Sequence, residues 1–528
     1  MSAYDVPTPL IPDYIAQHGR WSARKPALLC GPRALDWSGF DAATCQVANG
    51  LAALGLVPGA RVAVLMGNGI EMALALFGAI RAGVSVVPLN LSVADAAVAG
   101  MIADSGARAV LTTPDQQPRV DALLAAGRLP ASLLRIGVDA RGEGWIDFES
   151  WRTAQAATPP RARVLPTTEC NIIYSSGTTG LPKGIVHDQQ CRANWATDLA
   201  IALHYRSDAV TLLSLGLYSN ISWVAMLNTV LVGGTMVVMP AFSAEAVLEE
   251  IAQRGATHAV FVPVQLQRLL ASPALAARRP RTLRSIMCCG SPLAPALKRA
   301  VPEALGCELI ELYGLTEGIV TTLAPEDFLR KLDSVGRPIP GQQLRIVGDD
   351  DRELPWGQPG EIVGHGRLVM EGYHGRPEAT AEATWTDADG RRWLRTGDIG
   401  RLDEEGFLYL VDRKKDMIIS GGQNIYPADI EAVLLGHPDV AEIAVIGVPS
   451  ERWGESPVAI VVPRAAQAGG GDAASRSPAA GEALREWANA RLGRQQRIAA
   501  VHFRDSLPRN PNGKILKREL RKEYPPVP

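Results

Sequence analysis

Short β-rich runs alternate with helical patterns along most of the chain, and this alternation constrains its fold more than any other feature. RVAVLM (61–66), VSVVPL (84–89), RAVLTT (108–113), MVVMP (236–240), HAVFVP (258–263) and ELIELY (308–313) are rich in Val, Ile and Leu. They are separated by segments such as IEMALALFGAIRAG and SAEAVLEEIAQRG, helices that each end at a glycine suited to a C-cap. Continuous apolar strands alternating with helices require sheets covered on both faces, so an α/β fold with largely parallel sheets is predicted. The most apolar region, residues 62–89, is interrupted by Asn68, Glu71 and Arg81 and reads as strand, helix, strand rather than a membrane span.

The texture changes after about residue 400. LDEEGFLYLVDRKKDMIIS reads as a turn and hairpin, followed by a helix from Pro427, two short strands, a second helix and a basic tail. A large N-terminal domain (1–412) and a small α+β C-terminal domain (413–528) are therefore expected, with the border near residues 412–415. Residues 464–481, rich in Gly, Ala and Ser, are too poor in large apolar groups to pack and are expected to form a flexible surface loop. No internal repeat is visible.

Composition excludes several classes. The 528 residues carry 53 basic and 55 acidic side chains, so no global field exists to hold nucleic acid or an anionic membrane. The seven cysteines follow neither a zinc-ligand spacing nor a secreted disulfide framework, and the N-terminus lacks an export pattern. A cytoplasmic protein without integral membrane contact, monomeric or homodimeric, is expected.

The chemistry concentrates in YSSGTTGLPKG (174–184), which follows an apolar strand. Glycines let backbone approach a ligand, hydroxyls donate hydrogen bonds and Lys183 adds a cation, a combination suited to phosphate oxygens. The loop is not a Walker A sequence. Counted from Gly177, Pro182 stands where the second glycine belongs and Gly184 where a magnesium-binding hydroxyl belongs.

With CCGSPL (288–293), YGLTE (313–317), RTGD (395–398), DRKKDMIISGGQNIYP (412–427) and PRNPNGK (508–514), the loop resembles, in order and spacing, the signatures of the adenylate-forming (AMP-binding) superfamily. That superfamily includes acyl-CoA synthetases, peptide-synthetase adenylation domains and firefly-type luciferases. The resemblance spans nearly the whole chain and implies a mobile C-terminal domain. It implies that Ser175, Ser176, Gly177, Thr178, Thr179, Gly180 and Lys183 hold ATP phosphates. Gly290, Ser291 and Pro292 would wall the adenine slot, with Tyr313 and Gly314 on its other side. Thr316 would donate to the α-phosphate and Glu317 would hold Mg2+. Asp398 would accept the ribose hydroxyls, and Arg413 would be a fixed cation nearby. Lys514 would bridge the substrate carboxylate and the α-phosphate, while a hinge at Lys415 swings it aside for a CoA channel lined by Gly421, Gly422 and Trp453.

The resemblance implies ATP, Mg2+ and CoA as cosubstrates and cofactor, with a small carboxylic acid as the third partner. Tyr218, Ser219, Asn220, Trp223, Gly318 and Ile319 are the acyl-pocket positions. An amino-acid-activating domain needs an aspartate where Ser219 stands, and the 14 residues after Lys514 leave no carrier domain, so a modular peptide synthetase is not expected. A non-catalytic adenylate sensor is expected to lose Glu317 or Lys514, and both are present. A carboxylate:CoA ligase is the favoured expectation; a stand-alone adenylation enzyme serving a carrier protein is the alternative. The six pocket positions include no Lys or Arg, which favours an apolar fatty, aromatic or alicyclic acid. Two positions depart from the pattern: Ser219 replaces a common histidine, and residues 495–498 (Gln495, Gln496, Arg497, Ile498) replace an aromatic, lysine and proline near the CoA nucleotide.

Overall fold

The computed structural model describes residues 8–174, 182–420, 423–450, 453–464, 477–493, 496–509, 513–525 and 527. By internal packing the chain divides into two compact units, Met1–Gln343 with His365–Leu394, and Leu344–Gly364 with Arg395–Pro528.

The first unit is built on two large sheets. In one, Glu308–Gly314, Ser285–Cys288, His258–Phe261, Val210–Leu213, Thr235–Val238 and Pro26–Cys30 lie side by side and parallel. Antiparallel strands Val320–Leu323 and Arg33–Asp36 flank this parallel array. In the other sheet, Ser85–Pro88, Arg61–Leu65, Ala109–Thr112, Leu134–Gly137 and Trp145–Asp147 are parallel. Glu169–Tyr174 joins this sheet beside Ser85–Pro88 and turns back as the antiparallel strand Gly184–Asp188. All six runs singled out in the sequence are strands of these sheets.

The helix Ile70–Ala82 is buried along almost its whole circumference, which is why its sequence is apolar all round rather than amphipathic. It packs against Trp37–Ala53 so closely that a Cβ on Gly78 would stand 2.5 Å from Val47. Its core neighbours include Trp37, Phe40, Trp195 and Trp223. As expected, Gly83 closes this helix in the left-handed region (φ 68°), and Gly255 closes Ala244–Arg254 in the same way (φ 64°). Ser243 caps the start of the second helix by accepting from the Ala246 amide.

The second unit contains most of a sheet formed by Gln342–Val347, Gly360–Gly366, Arg392–Leu402 and Leu408–Arg413, the last two making the expected antiparallel hairpin. A further sheet joins Gln423–Ile425, Ile418–Ser420, Gly454–Pro463 and Val440–Ser450, with Ala500–Phe503 added in parallel. Its helices are Pro427–Leu435, Pro478–Asn489 and Lys517–Glu523. The two strands expected to be short are instead 11 and 10 residues long, paired along their length. Their continuous apolar runs are covered on both faces by two separate clusters, one around Val445 and Val461 and one around Ile446 and Ile460. The surface loop expected over 464–481 ends sooner: Ser477 caps a helix that begins at Pro478 and buries Gly481 and Leu484. Residues 465–476 lie outside the described residues.

The two glycine caps make a direct comparison. A Cβ on Gly255 meets nothing within 4 Å, whereas one on Gly83 would stand 3.1–3.3 Å from Pro58 and Val164. Gly255→Ala is therefore expected to cost roughly 1 kcal/mol from the left-handed backbone alone, and Gly83→Ala more. Thermal melts of the two variants check the order; equal shifts would contradict it.

Candidate active site

In the first unit CCGSPL and YGLTE each sit where a strand ends. Residues 175–181 of the glycine-rich loop, hence Ser175, Ser176, Gly177, Thr178, Thr179 and Gly180, lie outside the described residues. Both stems are defined. Tyr174 pairs with Gly184 in the antiparallel ladder, so the loop joins two strands of a hairpin rather than a strand and a helix. A Walker loop opens a helix whose N-terminal amides hold phosphate, whereas the described residues after this loop form the strand Gly184–Asp188. Lys183 leaves the loop with its Nζ 4.6 Å above the ring of Tyr373.

Tyr313 and Gly314 end the strand Glu308–Gly314, and YGLTE makes the turn into Val320–Leu323. Within that turn the Leu315 amide donates to the Ile319 carbonyl at 3.0 Å. Gly318 has φ +116°, and a Cβ there would fall 2.0 Å from the Leu368 carbonyl oxygen, so only glycine fits. The Glu317 carboxylate accepts a hydrogen bond from the Tyr373 hydroxyl at 3.0 Å, and the Glu317 carbonyl accepts from the Met370 amide at 2.8 Å. Tyr373 therefore stands between Lys183 and Glu317. Burial and the neighbouring Glu317 raise its phenol above the ordinary range, so it remains a donor.

Gly290 follows the strand Ser285–Cys288 with φ +96°, and a Cβ there would approach Ile221 Cδ1 to 3.1 Å. Gly290 thus adjoins the start of the helix Asn220–Val232. Cys288 and Cys289 are buried, and burial pushes both thiols up, Cys289 to about 12, so they pack rather than react.

Ser219 is the N-cap of the helix Asn220–Val232, its hydroxyl accepting from the Ile221 amide. Tyr218 is half-buried, while Trp223 and Ile319 are fully buried. A cation absent from the sequence-derived set stands against two of these positions. Arg192, itself 0% exposed, donates to the Asn220 side chain at 2.9 Å and lies 5.0 Å from the Trp223 ring. It also donates to Asn171 Oδ1 at 2.6 Å, and a second nitrogen lies 3.3 Å from His187 Nδ1. His187 Nε2 is in turn 2.9 Å from the Thr316 carbonyl. Burial and the adjacent guanidinium hold the His187 imidazole well below its ordinary range. Burial alone pushes Arg192 down to about 10.

Tyr373, His187 and Arg192 were not singled out in the sequence. The tyrosine lay in the unremarked stretch MEGYHGRPEAT, and nothing local distinguishes the other two from an ordinary strand histidine and helix arginine.

The second unit gathers the remaining motifs. Asp398 pairs across the hairpin with Arg413, whose Nε lies 3.3 Å from its carboxylate. Asp412 accepts from the Ala428 amide at the start of Pro427–Leu435, linking RTGD and DRKKD to that helix. Lys514 follows Gly513 in a loop closed by the bridge between Arg509 and Ile515. It is largely buried and in the electrostatic reach of Arg413, Lys415, Asp398 and Asp416. Burial first, and then the cations Arg413 and Lys415, push its amine down to about 7. Lys415 is lowered for the same reasons, burial before Arg413. Trp453 is half-exposed just before the strand Gly454–Pro463. Gly421 and Gly422, like Gln495, lie outside the described residues. Gln496 donates to Asp429, and Ile498 is buried with its amide donating to Asn489.

No helix among the described residues is long and apolar enough to cross a membrane.

The motifs and their geometry agree with comparisons to known proteins. The chain is 35% identical to the long-chain-fatty-acid–CoA ligase FadD13 of Mycobacterium tuberculosis, over 93% of either chain. It is also 35% identical to the fatty acid–[acyl-carrier-protein] ligase ScoC of Streptomyces coeruleorubidus, over 96% of this chain and 95% of that one. Among solved structures, o-succinylbenzoate CoA synthetase from Bacillus subtilis in complex with its acyl-adenylate intermediate superposes with a TM-score of 0.81. That structure is 29% identical and matches 96% of this chain and 98% of its own. The family model of the AMP-binding enzyme matches residues 16–374, and that of the AMP-binding enzyme C-terminal domain matches residues 429–514. With more than half of its length matched, and with its motifs placed at the strand ends where such a site is built, the chain belongs to the AMP-binding enzyme family.

Proposed function

We infer that the protein is an ATP-dependent carboxylic acid:CoA ligase. The observation that carries this reading is the meeting of the phosphate-loop lysine and the YGLTE glutamate on one tyrosine, Tyr373. A cation for the leaving phosphates and a carboxylate oxygen for a hard cation are thereby preset next to each other. In the first half-reaction a carboxylate oxygen of the acid attacks the α-phosphorus of ATP. The bond to the β-phosphate breaks, giving an acyl-adenylate and pyrophosphate. In the second, a thiol sulfur attacks the acyl carbonyl and AMP departs.

Lys183 and the loop it closes hold the β- and γ-phosphates. Thr316 donates to the α-phosphate, and Tyr313 with Gly290, Ser291 and Pro292 encloses the adenine. Asp398 receives the ribose hydroxyls, with Arg413 Nε 3.3 Å away orienting its carboxylate. The Glu317 carboxylate, fixed by the Tyr373 hydroxyl, suits Mg2+, which when bound neutralises phosphate charge. Lys514 offsets charge at the α-phosphorus as the acid attacks, and the segment beyond residue 412, hinged at Lys415, moves it away so that Gly421, Gly422 and Trp453 admit the thiol. The pocket of Tyr218, Ser219, Asn220, Trp223, Gly318 and Ile319 receives a fatty, aromatic or alicyclic acid. The activity is placed in the cytoplasm, where ATP and CoA are available.

The second reading is transfer to a carrier protein, supported by the similarity to the fatty acid–[acyl-carrier-protein] ligase. Both acceptors present the same thiol chemistry, so acceptor choice separates them. Pyrophosphate release across a panel of acids, with and without CoA, tests both readings. Acid-dependent release whose turnover needs CoA supports the ligase; turnover only with a carrier protein supports the second.

Lys514→Ala is expected to abolish adenylate formation while leaving thioester formation from a supplied acyl-adenylate largely intact; loss of both halves contradicts the division of labour. A bulky side chain at Gly422 is expected to do the reverse, and a variant with normal thioester yield removes it from the channel.

The buried Lys514 amine loses its proton as pH rises through about 7, whereas an exposed lysine does so at about 10.4. Competitive amine labelling of the apoprotein should therefore show Lys514 reactivity levelling off near neutral pH while surface lysines continue to gain. Arg413→Ala should move the midpoint upward. Reactivity of Lys514 that rises together with the surface lysines contradicts this.

A further inference from the structure

The reaction outlined above uses Thr316 and Glu317 but leaves open what holds their turn in place. Thr316 belongs to the turn after the strand Glu308–Gly314, and its carbonyl is met by a residue from the other large sheet of the first unit. His187 lies in Gly184–Asp188, the strand that leaves the phosphate loop, directly across the ladder from Asn171 in the strand that enters it. Arg192 lies one turn into the helix Gln189–Ala202 that follows. We propose that His187 and Arg192 are positioning residues that lock the Thr316–Glu317 turn to both stems of the phosphate loop through one buried hydrogen-bond chain.

The direction of every bond in the chain is fixed by its members. Asn171 Oδ1 accepts from Arg192 Nε at 2.6 Å, so the Asn171 amide nitrogen, 3.3 Å from His187 Nδ1, is a donor. Arg192 can only donate, and its second terminal nitrogen is also 3.3 Å from Nδ1. Nδ1 thus faces two donors and must be the unprotonated nitrogen. The imidazole proton sits on Nε2 and is donated to the Thr316 carbonyl at 2.9 Å.

The charge on Arg192 is what this arrangement needs. A carboxylate beside Nδ1 would draw the proton to that side and leave Nε2 facing a carbonyl, two acceptors in contact. The guanidinium does the opposite. It is wholly buried, and among the described residues it pairs with no carboxylate. An unpaired buried cation is expensive, and here neutral acceptors on Asn171 and Asn220, with the faces of Trp195 and Trp223 at 5.2 and 5.0 Å, offset the cost. Its bond to Asn220 also ties the first residue of the candidate acyl-pocket helix to the same chain.

This inference rests on the nucleotide-site reading, and the test separates the two. In the wild type, acid-dependent pyrophosphate release must be present; if no acid supports it, the ligase reading fails. Given that activity, His187→Leu is expected to lower kcat for pyrophosphate release about tenfold or more, in the range typical of residues that orient metal- and phosphate-binding groups. It should raise the Mg2+ concentration needed for half-maximal rate and leave KM for the acid within about twofold.

His187→Gln, which can still donate to the carbonyl, should recover most of the rate. Arg192→Leu should lower kcat and raise the Mg2+ requirement as His187→Leu does, and the double variant should lower kcat no further than the worse single variant. A folded His187→Leu with near wild-type kcat overturns the proposal, as does a loss confined to KM for the acid. Nitrogen NMR of the 15N-histidine-labelled wild type supplies a readout that no variant's folding can obscure. It should show His187 with its proton on Nε2, and a proton on Nδ1 overturns the proposal.

Discussion

One hydrogen bond, from His187 to the carbonyl of Thr316, joins the two large sheets of the first unit at the place where the chemistry must occur. In the proposed function a phosphate loop on one sheet and an adenine- and metal-binding turn on the other serve only in fixed register. Side chains that reach a nucleotide from two sheets cannot be aligned by either sheet alone. The histidine supplies a directional, water-excluded link between them, and Tyr373 supplies a second by standing between Lys183 and Glu317. Close backbone approach adds a third constraint at Gly318, where the turn touches the Leu368 carbonyl and no side chain fits. Preorganisation of this kind places the charges before the substrate arrives, which is where electrostatic catalysis gains most.

The second unit solves a different problem. The role proposed for Lys514, confined to one half-reaction, asks for a side chain whose charge depends on its surroundings. In this structure Lys514 is held among Arg413, Lys415, Asp398 and Asp416, and burial favours its neutral form. Phosphate and carboxylate oxygens beside it would favour its charged form. The same side chain is thus easily neutralised in one setting and strongly charged in the other, which suits a group that must come and go.

Much of the fold was legible because strands buried on both faces are continuous apolar runs and cannot hide: RVAVLM, HAVFVP and ELIELY contain the strands Arg61–Leu65, His258–Phe261 and Glu308–Gly314 in all or most of their length. Helix ends were equally plain at Gly83 and Gly255, where only glycine relaxes in the left-handed region. The length of Val440–Ser450 and Gly454–Pro463 was not legible, since pairing across a long hairpin is a tertiary gain that local pattern does not record. The proposed site residues stand out in sequence because each belongs to a motif with a distinctive neighbourhood. His187 and Arg192 do not. Their significance is that Asn171, Asn220 and Thr316, far apart in the chain, converge on them, and only the folded topology shows this.

In the proposed reaction an acid oxygen attacks the α-phosphorus of ATP, so that one carboxylate oxygen leaves with AMP. The most direct measurement is turnover of an active acid carrying 18O in both carboxylate positions, with ATP and CoA, followed by mass spectrometry of the products. One 18O in the phosphate of AMP, with none in pyrophosphate, is the result this account requires. Label in pyrophosphate or orthophosphate, or AMP free of label, would contradict it.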